Sequence, residues 1–539
     1  MSCRRHFYIK LNLASKITFL NNLIAKNPSA QLTIISGLSG LIYLFVFTLR
    51  FPLTGYFNTI PPVDYTKLTH YSQSGLIAYV VGIGVLFWLY VSAFRIAMPS
   101  IDDRRSTVKG HFIFLSSTAL AAISIFAYPL TAIDLFIYAI RTRGWALYGL
   151  NPLATAPETL PVSDPWLGLA AEWVDAPSPY GPVWEWLSLG TFYAGGGDFL
   201  SQLLALKILL ASFYLGCVWL VYKILRQLAP QWVTAGTVAF AWNPLILLES
   251  VQNGHNDIVM TFFLLAAIWV FVIRQENPHL LSSWKSALLA GLICLFLALS
   301  ILVKFVTIII VPFFLLSMSL TQPRWLRRIA SIALYGLIIA VLVVLSMHPL
   351  WPGWDDWAVL SAGSQAGRSL LALLVLGFRD SVGTNTAFDV SRNLIAGGFV
   401  LVYLYFLWPS LKAVVRPQPV ALDREPQQSS PTPSLPISQS FFSLFWYVLL
   451  VAPVFHAWYL LWFAPLAVLL LPDQRPLIAT TVFSITALLI IPYFETIRVW
   501  YPYLLHNHFV GHLIGVPLLI VPPAIALLWS NRPRIKPDV

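Results

Sequence analysis

Apolar runs of bilayer-crossing length follow one another from about residue 31 to residue 529. A run of ~20 apolar residues matches the hydrocarbon thickness of a membrane when helical. In lipid every backbone N–H and C=O must find an internal partner, which leaves helices as the economical solution for such runs. The chain is 58% hydrophobic and 10% charged over 539 residues, against about 25% charged residues in soluble domains. The expectation is an all-α, polytopic helical membrane protein of about fourteen spans. They are read at 31–50, 74–98, 111–131, 200–222, 232–250, 257–273, 286–303, 305–320, 329–347, 393–411, 441–455, 458–471, 477–493 and 508–529. Residues 369–378 are too short to cross and read as a re-entrant or interfacial piece.

The net charge of +11 does not point to nucleic acid. Arg104, Arg105, Lys223, Arg226, Arg324, Arg327, Arg328, Arg532 and Arg534 fall in loops or tails on one side of this topology, as the positive-inside rule requires of a cytoplasmic face. The basic N-terminus precedes a run starting near Leu32 that is long enough to span and lacks a small-residue cleavage site, so an uncleaved first span is expected. Cys3, Cys217 and Cys294 are too scattered for a disulfide framework or a metal motif. One membrane domain over 1–539 is expected. Its largest external loop is 132–198, carrying short helices, and a Pro/Ser/Gln-rich cytoplasmic linker is expected over 416–440.

Within the loop, the stretch IDLFIYAIRTRGWALYGLNP (133–152) carries Asp134, Tyr138 and Arg141. In a helix they lie at i, i+4 and i+7, on one face. The plain alternative is a helix end whose charges sit in water. The same topology brings SPYGP (178–182), Glu249, His255, Asn256, Asp257, Lys304, His348, His456, Trp458 and Tyr459 to the external side. Each has an ordinary reading as well. NGHND (253–257) makes a polar turn in which Asp257 caps the next helix. Lys304 snorkels. His456 to Tyr459, Tyr180 and the tryptophans at 145, 166, 173, 184 and 186 form an interfacial aromatic belt, and Pro179 and Pro182 shape a tight turn. His255 and Asp257 alone supply too few ligands for a metal. No phosphate-binding loop, dinucleotide fingerprint, HExxH or GxSxG is present. A membrane transferase and a polytopic transporter or lipid flippase remain, with a non-catalytic scaffold behind them. A transporter predicts charges at mid-membrane depth and a pseudo-repeat. The charges here sit at span ends and no repeat is visible.

The ordered set IDLFIYAIRTRGWALYGLNP, SPYGP, NGHND, VKFVTIIIVP (303–312) and HAWYLLWFAP (456–465) resembles the polytopic GT-C-type glycosyltransferases that use polyprenyl-phosphate sugars, and most closely bacterial polyprenyl-phosphate-mannose-dependent mannosyltransferases. The resemblance implies an inverting transfer of a sugar, mannose by preference. The sugar passes from a polyprenyl-phosphate donor to a hydroxyl of a lipid-linked or cell-envelope glycan, on the external side of the bacterial cytoplasmic membrane. It implies Asp134 as general base and Lys304, with Arg141 as a second candidate, beside the lipid phosphate. Tyr138, Tyr180, His255, Asn256, Asp257, His456, Trp458 and Tyr459 are implied around the substrates. The leaving group is already a phosphate, so neither cofactor nor metal is expected. Two departures stand out. Many relatives carry a second polar or acidic residue directly before the loop acid, where this chain has Ile133, and the acid here follows the third expected span instead of the first.

Overall fold

Backbone breaks, more than apolar length, decide how these segments are realised. The structure is a computed structural model, whose described residues are 27–99, 110–276, 283–354, 365–415 and 434–529. It begins with α1 (Pro28–Ile42, continued by a π turn to Thr48), α2 (Gln73–Ala97) and α3 (Gly110–Ile125). The loop region supplies α4 (Asp134–Tyr148) and α5 (Pro182–Ala194) and leads into α6 (Phe199–Leu228). Then come α7 (Val233–Ala241), α8 (Asp257–Glu276), α9 (Ser283–Val303), α10 (Val311–Ser319) and α11 (Trp325–Met347). The last six are α12 (Leu370–Val382), α13 (Thr384–Val415), α14 (Ser434–Trp446), α15 (Ala464–Leu469), α16 (Arg475–Pro492) and α17 (His508–Trp529).

The protein is an integral membrane protein: ten helices among the described residues are long and apolar enough to cross a bilayer. The other four expected spans are short or broken. The 111–131 segment becomes the 16-residue α3. The 232–250 segment stops at α7, restarts at Asn243-Pro244 and ends in a π turn, Leu248–Gln252. Proline has no N–H to donate and disfavours a helical residue before it, so the chain cannot run straight through. The 305–320 and 458–471 segments each open as a 3-10 helix, Phe305–Ile309 and Ala457–Trp462, before the short α10 and α15. The 369–378 piece lies within the 13-residue α12. Of the stretch expected as a linker, residues 416–433 lie outside the described residues, and 434–440 form the first turns of α14.

At the centre, α8 packs between α6 and α9 and is buried along most of its length. Helices α11 and α13 keep broad apolar faces exposed, as lipid-facing helices do. The one fully buried lysine among the described residues, Lys207 of α6, donates to the carbonyls of Ser124 and Ala127. It thereby satisfies carbonyls at the C-terminal end of α3, which have no intrahelical partner. Beyond Ala127 the chain runs without regular structure to Ile133 and turns into α4.

Candidate active site

Asp134 is the first residue of α4 and is 8% exposed. The partial positive charge of a helix N-terminus faces its carboxylate. Tyr180 donates from its phenol to Asp134 Oδ1 at 3.4 Å, and Tyr138 OH lies 3.2 Å from Tyr180 OH. One turn along from Asp134, Tyr138 is buried edge-on between Tyr180 and Trp184.

Tyr180 is placed by the backbone of its own motif. Gly181 N–H donates to Val303 O at 3.1 Å, docking the turn onto the C-terminal end of α9. A Cβ on Gly181 would lie 1.9 Å from Leu302 O, so a side chain is sterically excluded there. Pro182 then opens α5 at a position where its missing N–H costs nothing. Ser178 Oγ donates to Glu185 Oε1 at 2.5 Å, closing the turn from the other side. Burial pushes the Glu185 carboxyl up to about 7, against the pull of Ser178 and Arg141.

The residue after Val303 is Lys304, which leaves helical geometry and caps the 3-10 helix Phe305–Ile309. Its ammonium donates to Asp257 Oδ1 at 2.7 Å, and the Trp462 indole N–H donates to the same oxygen. The rings of Tyr180, Tyr459 and Trp462 surround the ammonium with centroids 5.3–5.5 Å away, within cation–π range. In a 3-10 helix side chains at i and i+3 eclipse, and Tyr459 and Trp462 accordingly stack at 4.3 Å.

Arg141, two turns along from Asp134, is 7% exposed and donates through Nη2 to Ala176 O at 2.8 Å. Its Nε has no partner, and it forms no ion pair among the described residues. Burial lowers its pKa from the ordinary value, with Tyr180, Glu185, Tyr138 and Asp134 opposing. Arg141 and Asp134, on one face of α4, form no direct ion pair.

Asp134, Arg141, Tyr180, Lys304, His456, Trp458 and Tyr459 all line one cavity of about 460 Å³, in the size range of small-molecule sites. Phe305, Val306, Pro453 and Val454 give it an apolar wall, and Gln365 sits at that side. The strap after Gln365 is tied to the wall by a short bridge. Gly367 N–H donates to Pro453 O at 3.1 Å and Phe455 N–H to Gly367 O at 2.9 Å. Arg368 pairs with Glu495 at 2.8 Å.

The NGHND residues sit one layer back, which corrects their expected place on the cavity surface. Gly254 adopts φ +79°, and a Cβ there would come within 2.9 Å of Leu135 Cδ1. The turn is thus pressed against α4 and wholly buried. Asp257 lies under Lys304 and is engaged by it instead of serving only as a helix cap. His255 stacks at 3.8 Å on Trp458, which stacks at 4.2 Å on His456. Asn256 is fully buried with no hydrogen-bond partner for its amide. His348 is not among the cavity-lining residues. The tryptophans depart from a simple belt: Trp184 and Trp166 are buried, Trp173 lines the cavity, and Trp186 is half exposed. Trp166 belongs to a node in which Arg143 stacks over its ring and pairs with Asp164 at 2.8 Å.

Two contributors escape a sequence reading. Trp462 was signalled only by its i+3 spacing from Tyr459, visible once the segment is known to be 3-10. Gln365 adjoins residues 355–364, which are not described, and carries no local motif.

Comparison with known proteins gives a family match over residues 34–320, to the model described as alpha-(1->6)-mannopyranosyltransferase, N-terminal domain. No curated protein matches the sequence. Among solved structures, the chain is similar to the Archaeoglobus fulgidus oligosaccharyltransferase in the apo form, with TM-score 0.35 and 13% identity over 78% of this chain and 55% of that one. It is also similar to the oligosaccharyltransferase AglB from Archaeoglobus fulgidus in complex with an inhibitory peptide and a dolichol-phosphate, with TM-score 0.34 and 15% identity over 79% of this chain and 56% of that one. The chain thus spans about half the length of either structure.

Proposed function

The chain belongs to the alpha-(1->6)-mannopyranosyltransferase family, and from that premise we propose that it transfers mannose from a polyprenyl-phosphate carrier to a hydroxyl of a lipid-linked or cell-envelope glycan. Glycosyltransferase activity is what family membership supports directly; the carrier, the acceptor and the stereochemistry are our reading. The observation that carries it is the single cavity shared by an acid, Asp134, and two cations, Arg141 and Lys304. Those are the groups that an attack on a sugar phosphate needs on opposite sides of the anomeric carbon.

In this reading the acceptor hydroxyl attacks the anomeric carbon while Asp134 takes its proton. The bond from that carbon to the carrier phosphate breaks, and the phosphate leaves with the electron pair. One displacement inverts the configuration. Proton removal by a positioned carboxylate is worth about 10²–10⁴-fold. Tyr180 holds one carboxylate oxygen, which fixes the direction of the other. The departing phosphate gains charge, and cations preorganised beside it stabilise that charge. Arg141 has the stronger claim to the phosphate, because it lines the cavity without a counter-ion, whereas Lys304 already holds Asp257. The apolar wall at Phe305, Val306 and Val454 suits the first isoprene units.

We place the reaction on the external side of the bacterial cytoplasmic membrane. Asp134, Asp257, Lys304 and His456 sit at helix ends opposite those carrying Arg226, Arg274 and Arg328, and basic residues favour the cytoplasm. The transporter alternative could claim the fully buried Lys207 within α6, but its hydrogen bonds to α3 carbonyls account for it.

The test is Asp134→Asn in membranes supplied with radiolabelled polyprenyl-phosphate mannose. Transfer should fall by about 10²-fold or more while the donor still binds; transfer at the wild-type rate would overturn the assignment of the base. Mass spectrometry of envelope glycans with and without the chain identifies the sugar and the acceptor together.

A further inference from the structure

A buried carboxylate network behind the cavity holds the chain just ahead of Asp134. Glu249 and Asn253 are 0% and 1% exposed. Glu249 stands in the π turn Leu248–Gln252, which Asn253 N–H closes onto Leu248 O at 2.8 Å. Single π turns inside helical segments recur at functional sites. Asn253 Oδ1 accepts from the backbone N–H of Leu130 at 2.9 Å, and its amide nitrogen donates to Glu249 Oε2 at 3.0 Å and to Thr131 Oγ1 at 2.5 Å. Thr131 Oγ1 in turn donates to Glu249 Oε1 at 3.4 Å, and His255 Nε2 lies 3.2 Å from Glu249 Oε2.

These bonds have a direction. Because Asn253 Oδ1 faces the Leu130 N–H, its NH₂ faces Glu249 Oε2, while Oε1 accepts from the Thr131 hydroxyl. Only a carboxylate accepts on both; a glutamine offers one acceptor and one donor. A buried carboxylate is expensive unless hydrogen-bonded, so it persists where its bonds serve something. Here they hold Thr131 directly and Leu130 through Asn253, three and four residues before Asp134. Ile133 supplies no side-chain cap to α4, and the approach to that helix is held from this network on one side and by the Tyr65 N–H bond to Leu130 O at 2.9 Å on the other. Independently, Gly254 of the same turn is packed against Leu135, the residue after Asp134.

We infer that Glu249 and Asn253 are positioning residues for Asp134, holding the Leu130–Thr131 backbone so that the acid's helix starts at one fixed point on the cavity wall. The inference rests on the reading of Asp134 as base. His255, whose backbone N–H donates to Glu249 O at 3.0 Å, joins the same turn to the aromatic wall by stacking on Trp458, which stacks on His456. A displacement of about 1 Å in a reacting group can cost on the order of 10²-fold in rate. Glu249→Gln and Asn253→Ala should therefore lower kcat by roughly 10–100-fold, with KM for the donor within about threefold, because neither residue touches the cavity.

The experiment measures kcat, donor KM and thermal unfolding for the full-length protein in detergent, using radiolabelled polyprenyl-phosphate mannose. Thr131 supplies the second pair of variants, since it is small and partly exposed. Thr131→Ser keeps the hydroxyl and should retain most of the turnover, whereas Thr131→Val should lose it at an unchanged unfolding temperature. A structural role alone would lower the unfolding temperature and the yield and leave kcat per folded enzyme intact; that result overturns the proposal. Equal turnover in Thr131→Ser and Thr131→Val also overturns it. Wild-type turnover in Asp134→Asn would sink the base assignment and this inference together. Loss in Asp134→Asn with none in Glu249→Gln would sink this inference alone.

Discussion

Asp257→Asn should weaken the protein and tighten its hold on the donor. Asp257 is fully buried, and the Lys304 side chain is 16% exposed towards the cavity, with 2.7 Å between the charged atoms. Removing one member of a buried pair costs about 3–5 kcal/mol when the other is left without compensation. Lys304 has two sources of relief: the cavity can hydrate it, and three aromatic rings remain around it, a contact worth about 0.5–2 kcal/mol. The net loss should be about 2 kcal/mol, lowering the unfolding temperature by about 2 °C for a chain of this length. Binding moves the other way. In the proposed mechanism a donor phosphate would compete with Asp257 for the ammonium and be repelled by its charge. A charge-assisted hydrogen bond is worth about 1.5–3 kcal/mol, so releasing Lys304 should strengthen donor binding by about tenfold or more. The assay pairs thermal unfolding with equilibrium binding of a labelled polyprenyl phosphate. Lys304→Met should lose both stability and binding. The double variant should recover stability relative to Lys304→Met without recovering binding, because the buried charge has gone with its partner. A wild-type unfolding temperature and unchanged donor affinity in Asp257→Asn would refute the reasoning, as would a double variant less stable than either single one.

Arg141→Lys retains charge but not the fork that bonds Ala176 O while presenting a second edge; donor KM should rise roughly tenfold, about 1.4 kcal/mol, and Arg141→Met should raise it further, as measured by initial rates over a donor series. Glu185 tests linkage. Its folded carboxyl, pushed up to about 7 from the ordinary 4.5, retains a proton that the unfolded chain releases. Stability is therefore undiminished below about pH 4.5 and falls as pH rises towards 7, by roughly 3 kcal/mol in all. Glu185→Gln should flatten that dependence in unfolding temperatures recorded from pH 4.5 to 8, and a slope equal to wild type would refute it.

The helical segments were legible because apolar length and basic loops are local properties, readable one stretch at a time. Three of the four segments that are short or broken depart from a continuous helix for an equally local reason: a hydropathy count sees Pro244, Lys304 and Pro465 as minor interruptions, whereas each changes the backbone. The polar residues could be assigned to one side, yet their partners could not be read. Lys304 meets Asp257 across 47 residues and Trp462 meets Asp257 across 205. That is why His255, Asn256 and Asp257 seemed to belong at the surface of the cavity when they support it from behind. Glu249 was visible as a polar residue in an apolar run, but its hold on Thr131, and on Leu130 through Asn253, depends on packing that no spacing rule encodes.

The contact of Gly181 with Leu302 and Val303 leaves one half of the site with almost no freedom to drift. Main chain rests on main chain there, so the gap between Tyr180 and Lys304 cannot be widened by exchanging side chains. The opposite wall is built differently: Val454 and Gln365 meet the cavity with side chains, on a strap held by a short bridge and one half-exposed ion pair. A lineage diverging in what the cavity admits would thus keep the glycine and rewrite the strap, and variants selected for a new acceptor should accumulate there first.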